Sequence, residues 1–307
     1  MIVAEVVRSG FVESHHHGSV VVLDATGAVR DAVGDVTDPM FPRSSNKPLQ
    51  TVGMLRAGLV PADEADLALI SGSHYAEDFH VRRVRAMLAA AGLDATALRC
   101  PEALPLGADD RAAVLRSGGG PEPVFMNCSG KHAGMLATCV AAGWPLESYP
   151  EPKHPLQVAL ADAVAGLVAE PIAATGVDGC GAPVFALSLT GLARAFLRLV
   201  DAAPGTPERR VADAMRARPE LVAGTGVADT VLMAAVPGLL SKGGAEGVAA
   251  VAVPGVGAVA LKISDGAMRA CQPVLASALR RLDVAVPVIE EAVLGGGRPV
   301  GTVQATW

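Results

Sequence analysis

Short β-rich runs alternate with helix-spaced segments along the whole of this 307-residue chain, and no repeat, charge block or long linker interrupts them. That pattern restricts the fold to a mixed α/β body, since a second domain would need an exposed, composition-shifted boundary. Residues 1–307 are therefore read as one domain, with the Pro- and Gly-rich stretch Pro101 to Pro123 as the place where two lobes could meet. The runs Ile2 to Val7 and Ser19 to Leu23, with the turn Asp24-Ala-Thr-Gly27 behind them, predict antiparallel strands at the start. Leu49, Val52 and Leu55 recur at helical spacing between Ser45 and Gly58, and Pro48 fits only in that helix's first turn. Leu67 to Ile70 reads as a buried strand, Glu77 to Ala91 and Ser129 to Ala142 as helices, and another helix follows Pro155. A strand near Ile172, helices over Val184 to Val200, Pro207 to Arg218 and Asp265 to Leu282, and strands over Ala249 to Val253 and Ala258 to Ile263 complete the pattern.

Composition narrows the partners. Apolar residues make up 51% of the chain but aromatics only 3%, so the core is built from Ala, Val and Leu. A net charge of -6 without a basic block leaves nothing to displace phosphate counterions, which argues against nucleic acid and anionic membranes. The most apolar stretch, Gly247 to Leu261, is short of the roughly 20 residues a spanning helix needs and contains Pro254, so no membrane segment is expected. Glu5 and Arg8 fall where a secretory signal needs an apolar core, so the chain is expected to be cytoplasmic. Its five cysteines are then thiols or metal ligands before they are disulfides. A small-molecule partner is the default.

Several clusters carry possible chemistry. Ser44 and Lys47 have the S-x-x-K spacing, which at a helix start puts hydroxyl and amine on one face, where a neutral lysine could take the serine's proton. A capping serine beside a surface lysine is the blander account. The polar loop Ser71-Gly-Ser73-His74 follows, and Lys262 ends a strand just before Ser264-Asp265-Gly266. A serine with its lysine, a loop serine and a strand lysine is the chain order of penicillin-recognising serine hydrolases and serine-dependent glutaminases. Cys128 and Lys131, in Asn127-Cys-Ser-Gly-Lys-His132, and Cys180, in Asp178-Gly-Cys-Gly181, could hold zinc with one position left open. Cys100, Cys139 and Cys271 have apolar flanks and read as small core residues. His15, His16 and His17 alternate faces on a strand and cannot converge as a metal triad, though one could hydrogen-bond at a site. Lys242-Gly-Gly-Ala-Glu-Gly247 lacks the surroundings of a phosphate loop.

Taken together these residues resemble the L-asparaginase II family, the plant-like bacterial type. The resemblance runs over Glu13 to Gly18, Arg43-Ser-Ser-Asn-Lys-Pro48, Ser73-His74, Asn127 to His132, Asp178 to Gly181, Ala223-Gly-Thr-Gly226 with Asp229-Thr230, Lys242 to Gly247, and Lys262. It implies an α/β (α+β) fold like the serine β-lactamases and glutaminases, a mostly antiparallel sheet flanked by helices with a helical sub-region. It implies an L-asparagine amidohydrolase and a homodimer. Mapped by motif, Ser44 is the nucleophile, Lys47 its base, and Ser73 with Lys262 completes the proton network. Cys128, Lys131 and Cys180 would hold Zn2+, and Arg43, His74, Asp178, His132 and His16 would contact or support substrate. Backbone N–H groups at the Ser44 turn are the candidate oxyanion donors. A penicillin-recognising enzyme shares the serine and lysines but has no need of the cysteines. A non-catalytic zinc protein would keep the cysteines and could lose Ser44 or Lys47.

Overall fold

Runs of valine and alanine build the sheet, because small and β-branched side chains let strands be covered on both faces. The computed structural model describes residues 1–287, 289 and 291–307. In chain order the strands are β1 (Ile2–Arg8), β2 (Phe11–Asp24), β3 (Val29–Val33), β4 (Pro39–Met40), β5 (Ala174–Val177), β6 (Pro183–Ser188), β7 (Leu240–Gly244), β8 (Val248–Val253), β9 (Gly257–Ile263), β10 (Ala292–Gly295) and β11 (Arg298–Ala305). Among the described residues, one antiparallel sheet runs β10-β11-β1-β2-β9-β8-β7 with β3 also on β2, and β4-β6-β5 form a second, smaller sheet. Strand β2 is long enough to serve two partners, pairing with β1 up to His17 and with β9 from Gly18 onward.

The helices are α1 (Lys47–Arg56), α2 (Ala65–Ile70), α3 (Asp78–Ala90), α4 (Ala108–Arg116), α5 (Ser129–Ala142), α6 (Pro155–Val168), α7 (Leu189–Asp201), α8 (Pro207–Ala217), α9 (Pro219–Val222), α10 (Ala228–Ala235) and α11 (Cys271–Arg280). All six residues of β8 are buried, and α7 and α11 both pack on the β2–β9 region of the sheet. Helices α1, α2, α5, α6 and α8 pack on one another as the helical region, and α7 joins them to the sheet. Among the described residues no helix is long and apolar enough to cross a membrane.

Four expectations change. Leu67–Ile70 is the end of α2, not a strand; the Asp63 carboxylate accepts the Ala65 N–H and starts a helical turn there. Residues 184–188 are strand β6, and the helix starts only after Ser188, whose hydroxyl caps the Gly191 N–H at 2.8 Å. The Pro101 to Pro123 loop contains α4. The last helix covers only Cys271–Arg280, because the Asp265 carboxylate accepts the Ala267 N–H in a turn before it.

Candidate active site

Five segments distant in sequence meet where α1 begins. Residues 43–46 form a single 3₁₀ turn that runs directly into α1, so Ser44 and Lys47 stand one turn apart. Edge strand β7 lies against this turn: Ser45 Oγ donates to the Lys242 carbonyl at 3.0 Å. A Cβ on Gly244 would stand 2.5 Å from the Pro42 carbonyl oxygen, so only glycine permits this approach. From the other side comes the loop between α2 and α3, whose Ser73 and Tyr75 N–H groups donate to Val222 and Ala223 carbonyls at 2.7 and 2.8 Å.

The lysines are placed differently from one another. Lys47 is buried and its Nζ donates to the Gly72 carbonyl at 2.5 Å and to Ser73 Oγ at 2.9 Å. Ser44 and Ser73 are half-buried, and among the described residues Ser44 Oγ has no hydrogen-bond partner. The structure thus brings Lys47 to Ser73, while the hydroxyl of Ser44 stays uncommitted. Lys262, expected to complete this network, does not reach it. Its Nζ donates to the Ile263 carbonyl at 2.8 Å and to the Glu246 carbonyl, and the charges around it are Glu246, Asp265 and Arg43. The amine beside Lys47 is instead Lys242 on β7, which the sequence placed in a glycine-rich run with no catalytic role. It is 2% exposed, with Asp229 Oδ2 at 3.8 Å. Burial, reinforced by the Lys47 charge and opposed by Asp229, pushes its pKa down to about 8.

Strain collects here too. Arg43, Ala76 and Glu246 have φ of 50°, 60° and 62°, a region that residues with a Cβ rarely occupy, and each flanks a site segment. Arg43 is held by Asp178, Nε to Oδ1 at 2.8 Å, and also approaches Glu246, so Arg43, Asp178, Glu246 and Lys262 form a charged rim. Of the turn's N–H groups, that of Ser45 is taken by the Pro42 carbonyl at 3.1 Å, which removes it from the candidate oxyanion donors.

Three histidines expected at substrate lie elsewhere. His74 is fully buried: its Nδ1 accepts the Ala76 N–H and its Nε2 donates to Ser129 Oγ at 2.9 Å. Burial first, then His80 and Lys47, holds it well below its usual pKa, so it is a neutral brace between two loops. His16 is clamped between Asp265 and Arg269, 2.7 and 3.0 Å away, which leaves neither ring nitrogen for a ligand. His132 is also fully enclosed.

Cys128, Lys131 and Cys180 do come together. Lys131 Nζ donates to Cys180 Sγ at 3.2 Å, and the Cys128 thiol, which donates to Asn127 Oδ1 at 3.2 Å, lies near Cys180. The nearness of the two sulfurs raises the Cys128 pKa and, helped by the Lys131 charge, holds Cys180 well below the usual thiol range. Burial works against the Lys131 ammonium, but the two sulfurs outweigh it and its pKa is raised. Without metal the cluster is therefore an ammonium–thiolate pair. The donor set nonetheless suits zinc, with two buried sulfurs and a nitrogen already in contact. Among the described residues no three His, Cys, Asp or Glu side chains converge, so Lys131 is needed to reach three ligands.

A model of the family described as L-asparaginase II matches residues 4–304. A search of curated proteins found no match. Among solved structures, Mglu in its native form is 17% identical over 89% of this chain and 66% of that one, with a TM-score of 0.42. This chain therefore spans just under two thirds of the Mglu chain. A β-lactamase from Mycobacterium bovis is 13% identical over 81% of this chain and 88% of that one, with a TM-score of 0.40. A mutant simvastatin synthase, LovD, from Aspergillus terreus is 14% identical over 86% and 90%, with a TM-score of 0.41.

Proposed function

The chain belongs to the L-asparaginase II family, and from that premise we propose that it hydrolyses L-asparagine to L-aspartate and ammonia through an ester on Ser44. The observation that carries the reading is the meeting of Lys47, Ser73 and buried Lys242 at the turn that presents Ser44's free hydroxyl. Ser44 Oγ attacks the side-chain amide carbon, its proton passing to a neutral amine. The C–N bond then breaks and that proton leaves with ammonia. Water attacks the ester, gives its proton to the same amine, and the C–Oγ bond breaks to restore Ser44. Lys242 is the amine suited to accept the proton, because its burial brings its pKa toward the working pH. Lys47 and Ser73 form the path toward the leaving nitrogen.

The rim supplies charges of both signs for an α-amino acid: Arg43 for the carboxylate, Asp178 and Glu246 for the ammonium. Cys128, Lys131 and Cys180 would hold the zinc, a Lewis acid that adds fixed positive charge beside the substrate. A homodimer completes the proposal, testable by light scattering.

Ammonia release from asparagine and glutamine, beside turnover of a chromogenic cephalosporin, separates the rival readings. Asparagine should exceed glutamine at least about tenfold in kcat/KM, since a close site discriminates by roughly 1 to 3 kcal/mol per methylene. Ser44→Ala should abolish the activity. Cephalosporin turnover without ammonia release would mark a penicillin-recognising enzyme, and zinc binding without either would mark a non-catalytic protein.

A further inference from the structure

Lys262 does not reach the serines, yet its amine is fully engaged. It stands on β9 opposite Val248, the first residue of β8, beside the loop Ala245-Glu246-Gly247 that joins β7 to β8. Its Nζ donates to two backbone oxygens, the Glu246 carbonyl and, at 2.8 Å, the Ile263 carbonyl. Among the described residues it makes no ion pair with the Glu246 carboxylate, so it fixes that residue's main chain and leaves the side chain free. Glu246 needs such a hold, because its φ of 62° lies in the left-handed region that a Cβ disfavours. The Asp265-Gly266 turn supplies the floor: a Cβ on Gly266 would lie 2.6 Å from Glu246 Oε2, so the carboxylate passes directly over the bare glycine. That turn is itself pinned to β2, where Asp265 Oδ2 meets His16 Nδ1 at 2.7 Å and the Ser264 N–H donates to the His17 carbonyl at 2.8 Å.

The two carboxylates of the rim are therefore unequal. Asp178 is 10% exposed, and its Oδ1 accepts both Arg43 Nε at 2.8 Å and the Gly179 N–H at 2.9 Å. Glu246 is 62% exposed; among the described residues its carboxylate accepts no hydrogen bond, and the one cation within 4 Å is Arg43, Nη1 to Oε1 at 3.9 Å. We propose that Glu246 selects substrates with a free α-ammonium, and that Lys262 is a positioning residue that holds Glu246 beside Arg43 through its carbonyl. The inference rests on the amidohydrolase reading, with Arg43 as the partner of the substrate carboxylate. An α-amino acid then meets a guanidinium and a carboxylate with its own two charges. An acid that lacks the amine pairs with Arg43 but sets its carboxylate against the uncompensated charge of Glu246, so selection works by repulsion as well as attraction.

Charge and position give opposite signs for Lys262. As a plain positive charge it would favour a substrate with a carboxylate and no ammonium, so its loss would sharpen the preference for asparagine. As the holder of Glu246 its loss must blunt that preference. The test is ammonia release by the full-length protein from asparagine and from succinamate, which has the same amide and carboxylate without the α-amino group. Wild type should prefer asparagine by about 100-fold or more in kcat/KM. Glu246→Gln and Lys262→Met should each reduce that preference about 10-fold or more, through KM for asparagine rather than kcat, with succinamate turnover unchanged or raised. Lys262→Arg, which can still donate to both carbonyls, should restore the preference that Lys262→Met loses. An unchanged preference in Glu246→Gln overturns the proposal. A preference that rises in Lys262→Met, or one that Lys262→Arg loses equally, overturns the positioning role of Lys262. A wild-type protein that hydrolyses both substrates equally well overturns the selection by ammonium while leaving the amidohydrolase reading intact; one that releases no ammonia from either defeats that reading, and this inference falls with it.

Discussion

Lys47, Lys131 and Lys242 are among the largest fully buried side chains, although the chain has only five lysines beside twenty arginines. Arginine serves the surface, in exposed pairs such as Arg82 with Asp78 and Arg85 with Glu122. A guanidinium stays charged, whereas an amine can become neutral, so in the proposed function the buried lysines are the ones given to proton transfer and ligation. Lys47→Arg and Lys242→Arg should each lower kcat by at least about 100-fold, the usual size of a lost general base. Lys262→Arg and exposed Lys153→Arg should stay within about threefold of wild type; a Lys262→Arg loss as large as that of Lys242→Arg would reverse their assignment. The pH profile carries the sign: Lys242 is protonated and idle below about 8 and neutral above it, so kcat/KM should rise with pH through that value. A profile flat from neutral to alkaline pH would remove Lys242 as the base. Sequence spacing singled out Ser44, Lys47, Ser73 and the Cys128–Lys131–Cys180 set, which the fold brings to one region. Lys262 followed from the chain order of the serine hydrolases, while Lys242 stood only within a glycine-rich run, and nothing local says which lysine's strand lies at the sheet edge against the serine's turn. The signal available was Gly243-Gly244 after Lys242, together with Asp229, whose carboxylate accepts the Gly243 N–H at 2.9 Å.

The contact between β7 and the Ser44 turn is the element-level feature on which this site depends. A methyl group on Gly244 would meet the Pro42 carbonyl oxygen at 2.5 Å, Ser45 Oγ at 2.9 Å and the Ser45 N at 3.1 Å, and two of these three atoms are backbone. The strand or the turn must shift. Gly244→Ala should therefore cost about 1 to 3 kcal/mol in urea unfolding, and kcat should fall more steeply than stability because Ser44 moves against Lys242. Unchanged kcat in a folded variant would show that the turn is not held by this contact. Long periodic elements such as α3, α5 and α8 were legible in sequence, since helical spacing runs through all three, and in α8 the Thr206 side chain also caps the start. Leu67–Ile70 and residues 184–188 were not, because a short buried apolar run has no periodicity that separates helix from strand. The Ser188 cap and the Asp63 turn decided them from outside the run.

Across the whole molecule, Cys128 at the head of α5 and Cys180 after β5 tie the helical region to the small sheet. In the proposed zinc reading, two states of that tie would compete. In the metal-free state Lys131 is an ammonium paired with the Cys180 sulfur, and the protein holds the charges itself. If zinc binds as proposed, Lys131 would give up its proton and three donors would share one cation. Zinc would favour the folded arrangement, because the unfolded chain must first bring residues 128 and 180 together. Purified protein should then contain about one zinc per chain, lost in Cys128→Ser and in Cys180→Ser. Chelation should lower the midpoint of thermal unfolding, and added zinc should restore it in a concentration-dependent way. The expected stabilisation is about 2.7 kcal/mol when free zinc stands at 100 times its dissociation constant. Metal content unchanged in both serine variants, or unfolding indifferent to chelator and zinc, would leave the ammonium–thiolate pair as the working state of the cluster.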